Sequence, residues 1–562
     1  MIKKRTIRTV AAVGGLTAAV ALLTGLSSAR AADDQSDGVR QRVDQLAQAT
    51  QGGANPSGYV PAMGAAPPPP GSPAGAGSFP RSFLIPGTDT SIRVGGQAQV
   101  DVLYYFTGLA PVSGTGLSGT ALNQNNPGGT SNDVAIPLDT HGQIVNGVAA
   151  AATISHSRSS GFFISAKESK INVETRTPTA WGEARSFVEL DFQQPNNAFG
   201  PANPNQVSSS YTPRLRYAYA TLGGLLGGQA NSNFSDSDSG AELLDFGGST
   251  GNSGPSRHGQ VRYTVPAQSV LPFWPLAGAF SVAIEDPATD GVTPLGYVQS
   301  DTQINNGFNG CTAQAGTFAA ATGTFSGTGI STPACISAAT LSNPMYVKAP
   351  DLSFAYHVPQ PWGHFNWHNV VRWLSINDGR FVNRDYLGWG SGIGLDVKPG
   401  WFGWSKDTIA GNFQGGDGVG YYISDVGGAL STNYMFAPAT AAQAATVRAR
   451  TNWAFGGHGS YQHWWTDNLR STVDYSIVHT DVSSTLTGAQ RVPGTAAGAP
   501  ASFVTGQNNA TNKEIQLVHV NLIWSPVAFV DMGVEYMWGK RKVVSNITGE
   551  SNSLQAVMRV KF

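Results

Sequence analysis

Arg214 and Arg216 stand two residues apart in Arg214-Leu-Arg216. On an extended chain both guanidiniums leave the same face, about 7 Å apart. That span matches the two ends of a small dicarboxylate, and arginine grips carboxylate bidentately. The competing use is structural, with the same pair holding Glu189 or Asp191 on a neighbouring strand. Nine further cations recur at polar positions of alternating segments: Arg93, Lys170, Arg176, Arg185, Arg257, Arg262, Arg372, Arg470 and Arg559. Against them, the connection over 232–256 carries Asp236, Asp238, Glu242 and Asp245, with a short helical turn expected at Ala241 to Leu244. Rings of Arg or Lys attract anions, and Asp or Glu favour cations. Carboxylates facing guanidiniums across a narrow waist would set a field that orients charged solutes. This is binding chemistry, not bond-making chemistry.

Residues for catalysis are not assembled in the same way. His364 and His368 share a face of one strand, and His357 precedes them across Pro359-Gln-Pro361. Histidines at such spacing can ligate a metal in principle, but packing or lumen positions explain them as well, and no metal is expected. The chain has no Gly-x-Ser-x-Gly elbow, no His-Glu-x-x-His run and no dinucleotide glycine pattern. Neither an enzyme nor a cofactor is expected. The two cysteines, Cys311 and Cys335, form an even pair, which in an exported chain favours a disulfide pinning a loop, with two free thiols as the alternative.

Strands must position these groups. From Thr90 onward apolar and charged residues alternate with period two. Ile92, Val94, Ala98, Val100 and Val102 alternate with Arg93, Gln97, Gln99 and Asp101, and Val188 and Leu190 with Glu189 and Asp191. Leu215, Tyr217 and Tyr219 alternate with Arg214 and Arg216. The chain ends on Leu554-Gln-Ala-Val-Met-Arg-Val-Lys-Phe562, with Leu554, Ala556, Met558, Val560 and Phe562 on one face and Gln555, Arg559 and Lys561 on the other. A packed core cannot accept such charges unpaired, whereas a wet lumen can. A soluble sandwich would put the same face outside, so alternation alone does not choose. Ile515 to Trp524 is apolar on both faces, which leaves its register open.

The connections choose. About sixteen candidate strands are joined by links that alternate between short and long, as in outer-membrane barrels. Short links fall at Thr177–Ala180, Gly223-Gly224, Pro359–Pro361, Thr466–Asn468 and Ser525-Pro526, and long ones at about 107–160, 193–212, 232–256, 287–349, 415–446 and 482–511. Trp181, Trp362, Trp401, Phe402, Trp404, Trp464, Trp465 and Trp524 flank the short links, as an aromatic belt at one membrane interface would. The expected fold is all-β, a transmembrane antiparallel up-and-down β-barrel. Composition agrees: 12% of residues are charged, 69 are glycine and mean hydropathy is -0.14. A net charge of -1 points to no nucleic-acid partner.

Residues 1–32 read as a signal peptide, with a basic start at Lys3, Lys4, Arg5 and Arg8, an apolar run from Val10 to Leu26 and a small-x-small site at Ala29-Arg-Ala31. Residues 33–51 carry Val39, Val43 and Leu46 at heptad-like spacing, which fits a short helical or coiled-coil segment, a lone helix or disorder. Residues 52–82 form a Pro/Gly/Ala-rich linker, expected to be extended and unpacked. The barrel is expected over 83–562.

Several segments resemble the DcaP-like trimeric outer-membrane porins: Phe83–Gly96, Glu168–Arg176, Gly182–Phe192, Arg214–Tyr219, Gly227–Asp236 with Asp245–Gly248, Asn521–Pro526 and Gly533–Arg541. The helical start and Pro-rich linker are similar too, while about 290–345 has little counterpart. The resemblance implies a sixteen-stranded homotrimer in the outer membrane of a Gram-negative bacterium, in contact with its lipid. It also implies passage of small anionic solutes, dicarboxylates among them, and a 232–256 loop folded inward to narrow the channel. The alternative is a plugged structural or adhesive barrel whose external loops bind a partner.

Overall fold

The structure is a computed structural model. It describes residues 76–107, 161–194, 212–245, 247–253, 256–273, 278–287, 348–377, 383–426, 451–481, 512–543 and 548–562, with short strand pieces between them. The signal peptide, the heptad segment, most of the linker and the Cys311–Cys335 loop lie outside the described residues.

Sixteen antiparallel strands close into one barrel. In chain order they are β1 (Ser91–Thr107), β2 (Gly161–Ser165 continued by Lys170–Thr179), β3 (Gly182–Gln194), β4 (Thr212–Leu222), β5 (Leu225–Asn231) and β6 (Arg257–Pro266). Next come β7 (Ala279–Glu285), β8 (Asp351–Gln360), β9 (Gly363–Asn377), β10 (Asn383–Val397) and β11 (Thr408–Asp417). The circuit ends with β12 (Trp453–Trp464), β13 (Leu469–Asp481), β14 (Asn512–Val527), β15 (Val530–Val543) and β16 (Thr548–Lys561). Each strand pairs with its neighbour in sequence, and β16 returns to β1 in the register Val560↔Ala98 and Met558↔Val100. Phe562 exchanges two backbone hydrogen bonds with Gly96, each 3.1 Å. Closure leaves no strand edge, as a sheet in lipid requires.

The faces run as the terminal nonapeptide predicts. Val94, Val100, Tyr104, Val188, Val261, Leu352, Val473, Leu522, Leu554 and Met558 are exposed, while Arg93, Asp101, Glu174, Asp191, Arg262, Asp351, Asp474 and Glu535 are buried inside. Trp181, Trp362, Trp401, Phe402, Trp404, Trp465 and Trp524 stand exposed near the short links, joined there by Phe273 and Phe529.

Three local expectations change. In β4 the register against β3 shifts between Glu189↔Tyr217 and Leu190↔Leu215, so Arg216 is an extra residue. A bulge resets alternation, and Tyr217 and Tyr219 turn inward and are buried, not outward with Leu215. The last short link moves beyond Ser525-Pro526, because a second irregularity carries β14 on to Val527↔Val530. The linker's end is also packed. Phe79 is buried beneath the guanidinium of Arg176, which lies 4.4 Å from its ring centroid.

The two-faced apolar stretch in β14 is explained from inside. Ile515 and Leu517 are buried with Phe234 of the 232–256 loop and with Val419, Tyr422, Ile423 and Val426 of the chain after β11. An interior core has formed on one side of the lumen, so the strand beneath it is apolar on both faces.

Candidate functional site

The 232–256 loop follows the fifth strand and folds into the barrel. Hydrogen bonds tie it to the wall from Glu285 of β7 to Gln555 of β16. At its start, Ser232 Oγ donates to Glu285 Oε2 (2.7 Å) and the Asn233 N–H to Glu285 Oε1 (2.8 Å). Phe234 stands edge-on to His368, ring centroids 4.9 Å apart. Asp236 Oδ2 lies 2.8 Å from His364 Nε2. Farther on, the Glu535 carboxylate accepts the N–H groups of Leu244 (2.9 Å) and Asp245 (2.8 Å), and Ser249 Oγ donates to Asp474 (2.9 Å). Residues 241–244 are irregular, not a helical turn. The Leu244 and Asp245 N–H groups are met by the Glu535 carboxylate of the wall, which removes the need for a helix there.

The wall is shaped for this approach. Gly388, Gly390, Gly392 and Gly394 occupy successive inward positions of β10. A Cβ on Gly390 would stand 3.0 Å from Phe234 Cζ, and one on Gly394 would collide with the Asp236 carboxylate. A run of inward glycines is a sequence signal for close backbone approach.

The loop acids therefore do not face the arginines across a waist. Glu242 is bound by Arg470 Nε at 2.6 Å and by Gln462 Nε2 at 2.7 Å. Asp245 lies 3.9 Å from His519. The Asp238 N–H donates to Asp236 Oδ1 at 3.2 Å. Burial alone would raise the Glu242 carboxyl, but the Arg470 guanidinium's hydrogen bonds and charge outweigh it and hold it below the usual range. The Glu242 side chain keeps 35% exposure to the lumen, so part of this pairing is screened. A carboxyl lowered by folding stabilises above its unfolded pKa, and that stability is lost as pH falls through the folded value. The loop is expected to stay seated from neutral pH down to about 4 and to loosen below it. Open-channel current noise recorded against pH checks this.

The cations divide by partner. Arg93 (2.5 Å), Arg176 (2.7 Å) and Arg185 (2.8 Å) converge on Glu174. Arg214 (2.6 Å) and Arg216 (2.8 Å) share Asp191 Oδ2, and Arg216 also binds Glu189 (2.8 Å). Lys170 is in register with Asp191. Arg257 stacks 4.9 Å from the Tyr217 ring centroid, and Arg559 lies 3.4 Å from Asp531. Arg372 is not on the open lumen. It is buried beneath the chain after β11, donating to Asp351 (2.8 Å), the Gly418 carbonyl (3.0 Å) and the Pro287 carbonyl (3.1 Å).

Arg262 differs. Its Nε has no hydrogen-bond partner among the described residues, as is also true of the Nε of Arg93 and of Arg559, so what sets Arg262 apart is its place in a cavity wall. It lines a cavity open to the lumen together with Ser232, Asn233, Ser235, Ser237, His357 and Asn366. Sequence reasoning placed Arg262 inside but had no way to single it out, because that place depends on where the loop settles. Glu285, Asp351, Tyr422 and Glu535, which fix that loop and the chain after β11, were not anticipated as a group.

A closed barrel, apolar outside and charged inside, with a loop folded in after the fifth strand, is the architecture of an outer-membrane porin, a channel. Among solved structures the chain is similar to the outer membrane channel DcaP of Acinetobacter baumannii, at 16% identity over 85% of this chain and 99% of that one, with a TM-score of 0.53. It also matches Salmonella typhi OmpF in complex with daunomycin (10% identity, 86% and 100% covered, TM-score 0.40) and Pseudomonas putida OprB (9%, 83% and 94%, 0.40). No curated protein matches the sequence. The family described as DcaP outer membrane protein matches residues 133–271 and 498–562. Those segments are 204 of the 562 residues, and over them the chain resembles that family of outer-membrane porins.

Proposed function

We propose that the protein is a passive diffusion channel for small hydrophilic solutes that favours small anions such as dicarboxylates. The observation that carries the reading is the closed barrel with a charged interior. The anion preference rests on the charge of the first six strands. Strands β1–β6 hold eight Arg and Lys (Arg93, Lys170, Arg176, Arg185, Arg214, Arg216, Arg257, Arg262) against five acids (Asp101, Glu174, Glu183, Glu189, Asp191), an excess of three positive charges. An anion's carboxylate meets Arg262 in the cavity beside the loop. The arginines tied to Glu174 and Asp191 supply field, not a free grip. The mature chain, after removal of residues 1–32, assembles as a trimer.

Reversal potential across a planar bilayer under a salt gradient tests this. Anion selectivity is expected, and Arg262→Ala should reduce the anion-to-cation permeability ratio severalfold, because it removes the arginine that lines the cavity beside the loop. Cation selectivity in both proteins would discard the anion reading and keep the channel. The inward packing of 232–256 and of 418–426 favours a second reading, a plugged barrel. Absence of conductance from folded protein would select it.

A further inference from the structure

We propose a divalent transition-metal site between the inward loop and the wall, with Asp238, His357 and His364 as ligands and zinc as the ion of the class that fits. Three separate elements supply the donors: the 232–256 loop, β8 and β9. One ligand atom from each of the three residues falls within 4.8 Å of the other two, a spread that side-chain movement must shorten to reach bonds of about 2.0–2.2 Å to one ion.

The register explains the pair of imidazoles. β8 and β9 are joined by Pro361-Trp362 and pair as His357↔Asn366 and Pro359↔His364. Both histidines point inward on adjacent strands, ring centroids 5.1 Å apart and nearly parallel. The third histidine of the sequence pattern, His368, is elsewhere, packed edge-on against Phe234.

His364 carries the charge argument. It is buried, yet carboxylates approach both ring nitrogens, Asp396 at Nδ1 and Asp236 at Nε2. Adding Asp238 brings three carboxylates to one pair of imidazoles in a secluded corner. A dication there offsets that negative charge. With Nε2 on the metal, Asp396 holds the Nδ1–H, the outer-shell arrangement that orients metal-bound histidines. Asp236 Oδ2, hydrogen-bonded to Nε2 at 2.8 Å, puts a further carboxylate beside the nitrogen that the ion would take. Two imidazoles with carboxylate favour zinc, nickel or copper over magnesium or calcium. Entry is open, since His357 also lines the cavity beside Arg262. A bound ion would staple the loop to β8 and β9 at the place where a solute passes.

Isothermal titration of ZnCl2 into tag-free, EDTA-stripped protein in detergent reads this directly, and does so whether or not the channel selects anions. One zinc per chain is expected, at an affinity weakened about tenfold or more by His357→Ala and by Asp238→Asn. Heat-modifiable gel migration reports folding of each variant, with His357→Gln as the substitute if the alanine variant fails to fold. No binding in the wild type, or binding of equal affinity in the folded variants, overturns the site.

Discussion

Asp351→Ala is expected to destabilise the barrel by about 3–5 kcal/mol, the cost of leaving a buried charge without its partner. Asp351 and Arg372 both have side chains with no exposure, 2.8 Å apart. Tyr422 donates to the same carboxylate at 2.9 Å, and its ring stacks 5.1 Å from the Arg372 guanidinium. Arg372 also holds the Gly418 and Pro287 carbonyls, at the roots of the two long connections after β11 and β7. Losing Asp351 therefore strands a guanidinium and loosens Tyr422, which anchors the interior core. The double variant Asp351→Ala/Arg372→Met should cost less than the single one, because it removes the orphaned charge along with its partner. Urea unfolding in phospholipid bilayers, followed by tryptophan fluorescence, measures both. A single-variant cost within about 0.5 kcal/mol, the level of an ordinary surface change, would show that the pair does not hold the fold.

Glu535→Ala should unseat the middle of the inward loop. One carboxylate accepts two backbone N–H groups, from Leu244 and Asp245, and the Asn521 amide at 2.9 Å. Each buried donor left unmet costs about 1–3 kcal/mol. Leu244 would also leave its packing against Ile523 and Val557. A loss of about 2 kcal/mol already shifts the seated-to-unseated ratio roughly thirtyfold. Single-channel records should show larger open-channel noise and altered conductance. Glu535→Gln keeps one carbonyl acceptor and should fall between the two. Traces from folded Glu535→Ala that match the wild type would mean that the loop is held without Glu535.

Much of the fold is legible in the chain because lipid and water impose opposite demands on the two faces of every strand. Leu554, Met558 and Arg559 could be assigned to their faces from sequence, since period two leaves one choice once one face is known. The loop at 232–256 was bounded correctly by counting strands. Tyr217 was not assignable, because one extra residue at Arg216 reverses the parity and nothing local announces it. Ile515 and Leu517 looked ambiguous for a different reason, as their partners Phe234 and Tyr422 come from distant connections.

The interior divides along the same line. That Arg93, Arg214, Arg216 and Arg262 lie inside is written in the alternation, for an unpaired guanidinium cannot face hydrocarbon. Which of them is held by a carboxylate is a matter of which strands become neighbours and of where one loop comes to rest. Glu174 gathers three arginines from β1, β2 and β3, Asp191 takes two from β4, and Arg262 is left beside a cavity. Sequence alone determined the barrel and the polarity of its faces, because those follow from local periodicity and solvent. Only the tertiary structure decided which charges pair and which face the solute, because charges choose partners by distance, and distances between strands far apart in the chain are set by closure of the whole sheet.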